Sequence, residues 1–329
     1  MDIEALEFRA ACIQSVREFF VRENYLELDT PALAPELIPE SCLEVFRTEY
    51  VSPVSRRDLF LVPSPEVYIK QVIAQHGRSV FQISKCYRNA ESFARIHRPE
   101  FTMLEYYTMN ADYLFSLEVT ARLFKFVAEK ISGLPLCEKK SCEMFSAPFK
   151  ILSMNDAFKK YCGFALSEQT TESLALNAET LGAGEYEKLR ELSWDDLYEL
   201  ILVHTIEPKL AECGIVALID YPAKADCLAK ERSDTSNPDF SVKERWEIYA
   251  NGVELANCYT EERNENMIEK YFSAETKLKN SALVRHPSVK NFGEICSKMP
   301  ECSGVALGVD RLIMLLAGKK TLDSFVYEF

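Results

Sequence analysis

The chain has 329 residues, 47% of them hydrophobic, enough to bury a large core in roughly one to three domains. Its 38 basic and 51 acidic residues leave a net charge of −13, which argues against extensive nucleic-acid contact, where Lys and Arg on phosphates dominate affinity, and suits a basic partner better. No apolar run reaches the ~18 residues of a membrane span, the acidic N-terminus Met1-Asp2-Ile3-Glu4 is no secretory leader, and eleven cysteines without CxxC pairs, beside four scattered histidines, read as free thiols of a reducing cytosol rather than as a zinc site.

Residues 5–23 predict an amphipathic helix, with Leu6, Ile13, Val16 and Phe20 on one face and Arg9, Arg17 and Glu18 elsewhere. Tyr25-Leu26-Glu27-Leu28-Asp29-Thr30-Pro31 follows as a short alternating strand that proline stops. Residues 59–110 predict strands and a helix. From Val80 to Arg88, alternation puts Gln82, Ser84, Cys86 and Arg88 on one face and Phe81, Ile83 and Tyr87 on the other. After a loop, Phe101, Met103, Glu105 and Tyr107 share a face of the next strand. A half-polar, half-aromatic face inside a large protein suits a pocket, with Phe101 stacked on a base and Glu105 and Tyr107 holding a cationic group. An amphipathic hairpin with its polar face in water fits the same alternation.

Residues 112–132 predict a helix, and 137–212 a mostly helical stretch with polar breaks near 166–171 and 182–184, expected as an insertion on one side of a catalytic sheet. Residues 215–221 predict a buried strand. Residues 243–260 predict a hairpin about an Asn251-Gly252 turn, pairing Ala250 with Val253 and Tyr249 with Glu254. Glu247 is then diagonal to Glu254 on the same face. Such carboxylates repel unless a cation lies between them, as Mg²⁺ on nucleotide phosphates does; a solvated acidic face is the alternative. Residues 262–284 predict a charged helix. Last comes a strand through Gly304 and Gly308, glycines that allow close approach of a ligand, then a helix that Asp310 caps and that runs through Leu316. Arg311 adds its charge to that helix N-terminus. The expected fold class is α+β: an antiparallel sheet flanked by helices, one domain spanning 1–329 with the helical insertion.

Two stretches resemble motifs 2 and 3 of the class II aminoacyl-tRNA synthetases: Tyr87-Arg88-Asn89-Ala90-Glu91 with His97-Arg98-Pro99-Glu100-Phe101-Thr102-Met103-Leu104-Glu105, and Gly304-Val305-Ala306-Leu307-Gly308-Val309-Asp310-Arg311-Leu312. The helix, strand and Pro31 resemble motif 1, the dimer interface of that family. Over about 5–328 the combination resembles the lysyl-tRNA synthetase catalytic domain and, more closely, the elongation factor P β-lysine ligases. The resemblance implies ATP as substrate with Mg²⁺. Arg88 and Arg311 would carry catalysis, Arg88 on the α-phosphate. Glu91 would read the adenine edge, Phe101 and Arg311 would sandwich the ring, and Gly308 would lie beside the nucleotide. Glu247 and Glu254 would carry Mg²⁺, Glu254 thereby joining the ATP set, with Asn257 nearby. Ser64 and Glu66 would face the amino and carboxylate end of the amino acid. Glu105, Tyr107 and Glu261 would recognise its side-chain amine, above a pocket floor at Ala306. Asn257 and Glu261 have the opposite parity from Glu254, so a bulge or strand end must intervene if they line one site.

The same resemblance implies a cytoplasmic homodimer that activates (R)-β-lysine or lysine as an aminoacyl-adenylate and transfers it to a lysine of elongation factor P, with neither tRNA nor membrane as partner. No anticodon-binding OB domain precedes the motif 1 helix, and Ala306 stands where lysyl-tRNA synthetases carry Gly. Ala90 replaces a usual Glu, the loop after it is one residue longer, and part of 221–230 is nearer the synthetases. The rival readings are a truncated lysyl-tRNA synthetase-like enzyme serving tRNA or a small acceptor, and a non-catalytic paralogue. The presence of every phosphate and Mg²⁺ residue argues against the second.

Overall fold

The structure, a computed structural model, describes residues 2–90, 94–234 and 240–326; Glu91 lies outside the described residues. The chain forms two compact units, one of Met1–Ala147 with Thr260–Phe329, the other Pro148–Tyr259.

In the first unit, α1 (Ile3–Arg22) starts at Asp2, whose carboxylate accepts from the Ala5 N–H at 2.7 Å. Val16 and Phe20 are buried as expected, with Phe8, Cys12 and Phe19, whereas Leu6 and Ile13 are only half-buried. The expected strand after α1 shortens to β1 (Leu26–Glu27). β2 (Leu33–Ala34), β3 (Phe46–Val51) and β4 (Arg56–Leu61) form a small antiparallel sheet in the order β2-β4-β3. Then come α2 (Glu66–His76), β5 (Val80–Tyr87), β6 (Glu100–Met109), α3 (Tyr113–Ile131) and α4 (Lys139–Ser146). Nine cysteines are free as expected, but Cys137 and Cys142, either side of the start of α4, are joined by a disulfide.

In the second unit, β7 (Lys150–Ser153) leads into α5 (Met154–Cys162), α6 (Thr171–Thr180), α7 (Tyr186–Leu189), α8 (Trp194–Ile201), a π-helical turn and α9 (Glu207–Leu210). The stretch expected to be helical is so, apart from β7, which is too short to be told from a helix by periodicity. β8 (Ile215–Pro222), β9 (Glu231–Ser233), β10 (Ser241–Ala250) and β11 (Val253–Thr260) follow. β10 pairs antiparallel with β8, β9 and β11, and β7 pairs parallel with β8. Phe158, Leu197, Tyr198 and Ile201 pack against Val216 and Leu218 of β8.

The chain returns to the first unit with α10 (Glu265–Leu278), α11 (Phe292–Ser297), β12 (Cys302–Gly308) and α12 (Val309–Leu316). Here β1, β5, β6 and β12 lie in that order, antiparallel except for β1 on β5. Mostly antiparallel sheets flanked by helices are the α+β class expected. Among the described residues no helix is long and apolar enough to cross a membrane.

Candidate active site

Register decides which side chains meet in the first unit. Gln82, Ser84 and Cys86 of β5 pair with Glu105, Met103 and Phe101 of β6, and across β6 lie Ala306 beside Glu105 and Gly308 beside Met103. The two faces read separately from alternation are therefore one face of one sheet.

Glu105 is 3% exposed; its Oε1 accepts from the Tyr107 hydroxyl at 2.7 Å, and its Oε2 has no hydrogen-bond partner. From α2, Lys70 reaches 2.5 Å to Glu66 Oε1 and 2.7 Å to Glu261 Oε2. The Glu261 backbone N–H donates to the Cys302 carbonyl, which fixes it beside β12. A Cβ on Gly304 would collide with both the Glu261 carboxylate and the Tyr107 ring, so glycine is required for these two side chains to pack there.

Two carboxylates thus hold one buried ammonium, and the buried Glu105 carboxyl feels the same charges. Burial, and then the charge of Glu66, push the Glu105 carboxyl up to about 8. Burial raises Glu261 to about 7 against the pull of Lys70. Burial works against a charged Lys70, but Glu261 and Glu66 outweigh it and hold its ammonium well above the usual value. Within this cluster the Glu105 Oε2 stays without a hydrogen-bond partner.

Beyond this pocket, the Arg88 guanidinium lies 5.2 Å from the centre of the Phe101 ring, and its backbone N–H donates to the Pro99 carbonyl. Arg311, in the first turn of α12, lies 2.7 Å from His97 Nε2 and 3.4 Å from the Ile96 carbonyl. Ser64 Oγ is 3.4 Å from the Glu66 N–H at the start of α2.

Asp310 is not the cap expected. Gly308 holds that position, and the buried Asp310 carboxylate instead accepts from the Thr102 N–H at 2.7 Å and from Arg9 at 2.6 Å. It ties α12 to β6 and α1, because a cap in water gives less than two charge-assisted bonds inside. Lys70 was not singled out in the sequence, and Arg9 only as a polar position of the first helix. Lys70 had a signal, standing four residues after Glu66 on a helix. Arg9 had none, its partner being 301 positions away.

In the second unit the hairpin turns at Asn251 and Gly252, both with positive φ (50° and 76°). Tyr249 pairs with Glu254 as expected, but a bulge follows, so Glu247 pairs with Asn257. Glu247, Tyr249, Glu254 and Asn257 therefore share one face, resolving the parity conflict for Asn257. Tyr249 donates to Glu247 at 2.7 Å, Arg245 pairs with the other Glu247 oxygen, and Arg245 Nε donates to Asn257 Oδ1 at 3.3 Å. Glu247 is buried and Glu254 is exposed. Among the described residues no three His, Cys, Asp or Glu side chains form a metal cluster. Two carboxylates on one face nevertheless fit Mg²⁺, which takes one or two protein carboxylates and completes its shell with phosphate oxygens and water.

A sheet with Arg88 and Arg311 just past the neighbouring ends of β5 and β12, and the buried Glu105 on β6 between those strands, has the parts of a class II synthetase. Residues 3–327 match the model of the family described as tRNA synthetases class II (D, K and N), and the chain belongs to that family. It is an ATP-dependent amino-acid ligase. The elongation factor P–(R)-β-lysine ligase of Vibrio cholerae is 31% identical over 326 residues, 98% of this chain and 94% of that protein. The protein of the same name from Photobacterium profundum is 32% identical, covering 95% and 91% of the two chains. A homologue of that ligase from Aquifex aeolicus is 30% identical, covering 95% of each.

Proposed function

We propose that the protein activates a lysine-type amino acid, (R)-β-lysine or lysine, as an aminoacyl-adenylate and transfers it to a lysine side chain of elongation factor P. The observation that carries this reading is the buried Glu105 oxygen without a partner, in a pocket where Glu66, Glu105 and Glu261 outnumber Lys70. A substrate with an apolar side chain would leave that buried oxygen unpaired, whereas a second amine would pair it and favour the charged carboxylate. The names of the relatives support the acceptor.

In this reading the substrate carboxylate attacks the α-phosphorus of ATP in line, and pyrophosphate leaves. Arg88 holds the α-phosphate, and with Arg311 it stabilises the charge that develops there. Phe101 and Arg311 enclose the adenine, Glu91 reads its edge, and Gly308 lets the nucleotide approach. Ser64 and Glu66 face the amino and carboxylate end. Glu105, Tyr107 and Glu261 take the side-chain amine, with Ala306 setting the depth of the floor. On their own hairpin, Glu247 and Glu254, with Asn257 nearby, would hold Mg²⁺, which when bound neutralises phosphate charge.

The reading includes a cytoplasmic homodimer. Ile3 and Val21 of α1 and Leu26 and Leu33 of the next strands are 66%, 58%, 39% and 39% exposed, apolar surface that a second copy would cover. Light scattering should give about twice the 37.6 kDa of the chain; a monomer mass at micromolar concentration would contradict it.

With ATP, Mg²⁺ and lysine or (R)-β-lysine, purified elongation factor P should gain the mass of one acyl group, located on a lysine by peptide mapping. If adenylate forms but the factor never gains mass, its role as acceptor is refuted.

A further inference from the structure

Arg245 has no role in the reaction as drawn, yet its side chain touches two residues of the hairpin that do. It stands on β10 two residues before Glu247, so the two side chains leave the strand on one face. Across the ladder, Arg245 pairs with Tyr259 of β11 and Glu247 with Asn257. The guanidinium rests on two rings, 4.3 Å from the centre of Tyr221 on β8 and 5.4 Å from that of Tyr259. A half-buried planar cation between two aromatic rings has few orientations left to it.

From that seat the guanidinium serves two neighbours at once. Nη2 pairs with Glu247 Oε1, and Nε donates to Asn257 Oδ1 at 3.3 Å. The other oxygen of Glu247 accepts from the Tyr249 hydroxyl at 2.7 Å, and that hydroxyl lies 3.0 Å from Glu207 Oε1. Glu247 is therefore held at both oxygens, which fixes the plane of its carboxylate. A carboxylate has about four lone-pair sites, so a cation can still be taken by those that Arg245 and Tyr249 leave. Asn257 is oriented by the same contact. A guanidinium only donates, so the amide must turn its oxygen towards Arg245, and what it then has to offer a ligand is its Nδ2 hydrogens.

We propose that Arg245 is a positioning residue of the metal site, holding Glu247 in the orientation in which it takes Mg²⁺ with ATP. This rests on the reading given under Proposed function, in which Glu247 and Glu254 carry Mg²⁺. The partner of a metal-binding carboxylate aims its lone pairs before the metal arrives, and losing such a partner typically costs 10–100-fold in metal affinity. The two-pronged contact makes the position specific for arginine. A lysine would keep a cation beside Glu247 but could not hold Asn257 by a second, rigidly spaced N–H.

The test is Arg245→Lys. Arg245→Met would strand the buried Glu247 charge and endanger the fold, whereas lysine keeps a counter-charge there. Calorimetry with ATP alone, with no amino acid to activate, should show Mg²⁺ tightening ATP in the wild type. In Arg245→Lys that tightening should shrink by about 10–100-fold, with ATP affinity in EDTA little changed. Pyrophosphate exchange should need correspondingly more Mg²⁺ for half its maximal rate, and excess Mg²⁺ should recover much of the rate. A residue that only supported the fold would weaken ATP binding equally with and without Mg²⁺ and slow exchange at every Mg²⁺ concentration; that pattern, or an unchanged Mg²⁺ response in Arg245→Lys, would overturn the proposal. A wild type whose ATP affinity gains nothing from Mg²⁺ would instead remove the metal reading beneath it, and the proposal with it.

Discussion

Replacing Arg88 with alanine should all but abolish adenylate formation. A preorganised charge on the reacting phosphate is worth about 3–4 kcal/mol, roughly 10²–10³ in rate. Arg88 is held in place on both sides, since its N–H bonds the Pro99 carbonyl and its guanidinium lies over the Phe101 ring. The ring contact itself contributes about 1 kcal/mol, so the variant should stay folded while losing pyrophosphate exchange. Arg88→Lys should recover little, because an ammonium cannot reproduce the two-pronged donor set of a guanidinium. Near-normal exchange by Arg88→Ala would exclude this role.

Replacing Lys70 with methionine should cost stability as well as substrate. Its ammonium is buried between Glu66 and Glu261, and removing one partner of a buried pair costs about 3–5 kcal/mol. The loss has a pH signature. Glu105 and Glu261 have carboxyls raised in the folded state, to about 8 and about 7, from an ordinary 4.5. The stability such groups contribute is fully present below about 4.5 and is lost as pH rises through 7 to 8. Without Lys70, ionised Glu261 loses its counter-charge, so the Lys70→Met deficit should be larger at pH 8 than at pH 5, where the carboxyls are protonated. Denaturant unfolding of both proteins at the two pH values measures this. A deficit below about 1 kcal/mol at pH 8, the range of an exposed ion pair, or one independent of pH would refute it.

What the sequence made legible follows from the range of each interaction. Period-two alternation placed Phe101, Met103, Glu105 and Tyr107 together, and the Asn251-Gly252 turn placed Tyr249 opposite Glu254, because both signals are local. The bulge was legible only as a parity conflict at Asn257 and Glu261, since a one-residue slip has no local signature. Asp310 precedes an apolar helix as a cap would, yet Thr102 and Arg9 claim its carboxylate, and neither is near it in sequence. Lys70 had a visible partner four residues back, but its burial depended on Glu261 arriving from far along the chain, and lysine is almost never buried unless paired. Glu91 was read from its motif alone and lies outside the described residues.

The central claim is that the pocket around Glu105 demands an amine on the substrate side chain. Pyrophosphate exchange with lysine, both enantiomers of β-lysine, ornithine and norleucine tests it most directly. Norleucine has lysine's four-carbon side chain but lacks the terminal amine, and would leave the Glu105 oxygen unpaired. Sites built around polar groups reject such analogues by roughly 10⁴-fold. The account predicts exchange with lysine or (R)-β-lysine, rejection of norleucine by a factor of that order, and loss of this discrimination in Glu105→Ala. Equal exchange with norleucine and the lysine-type substrates would contradict it.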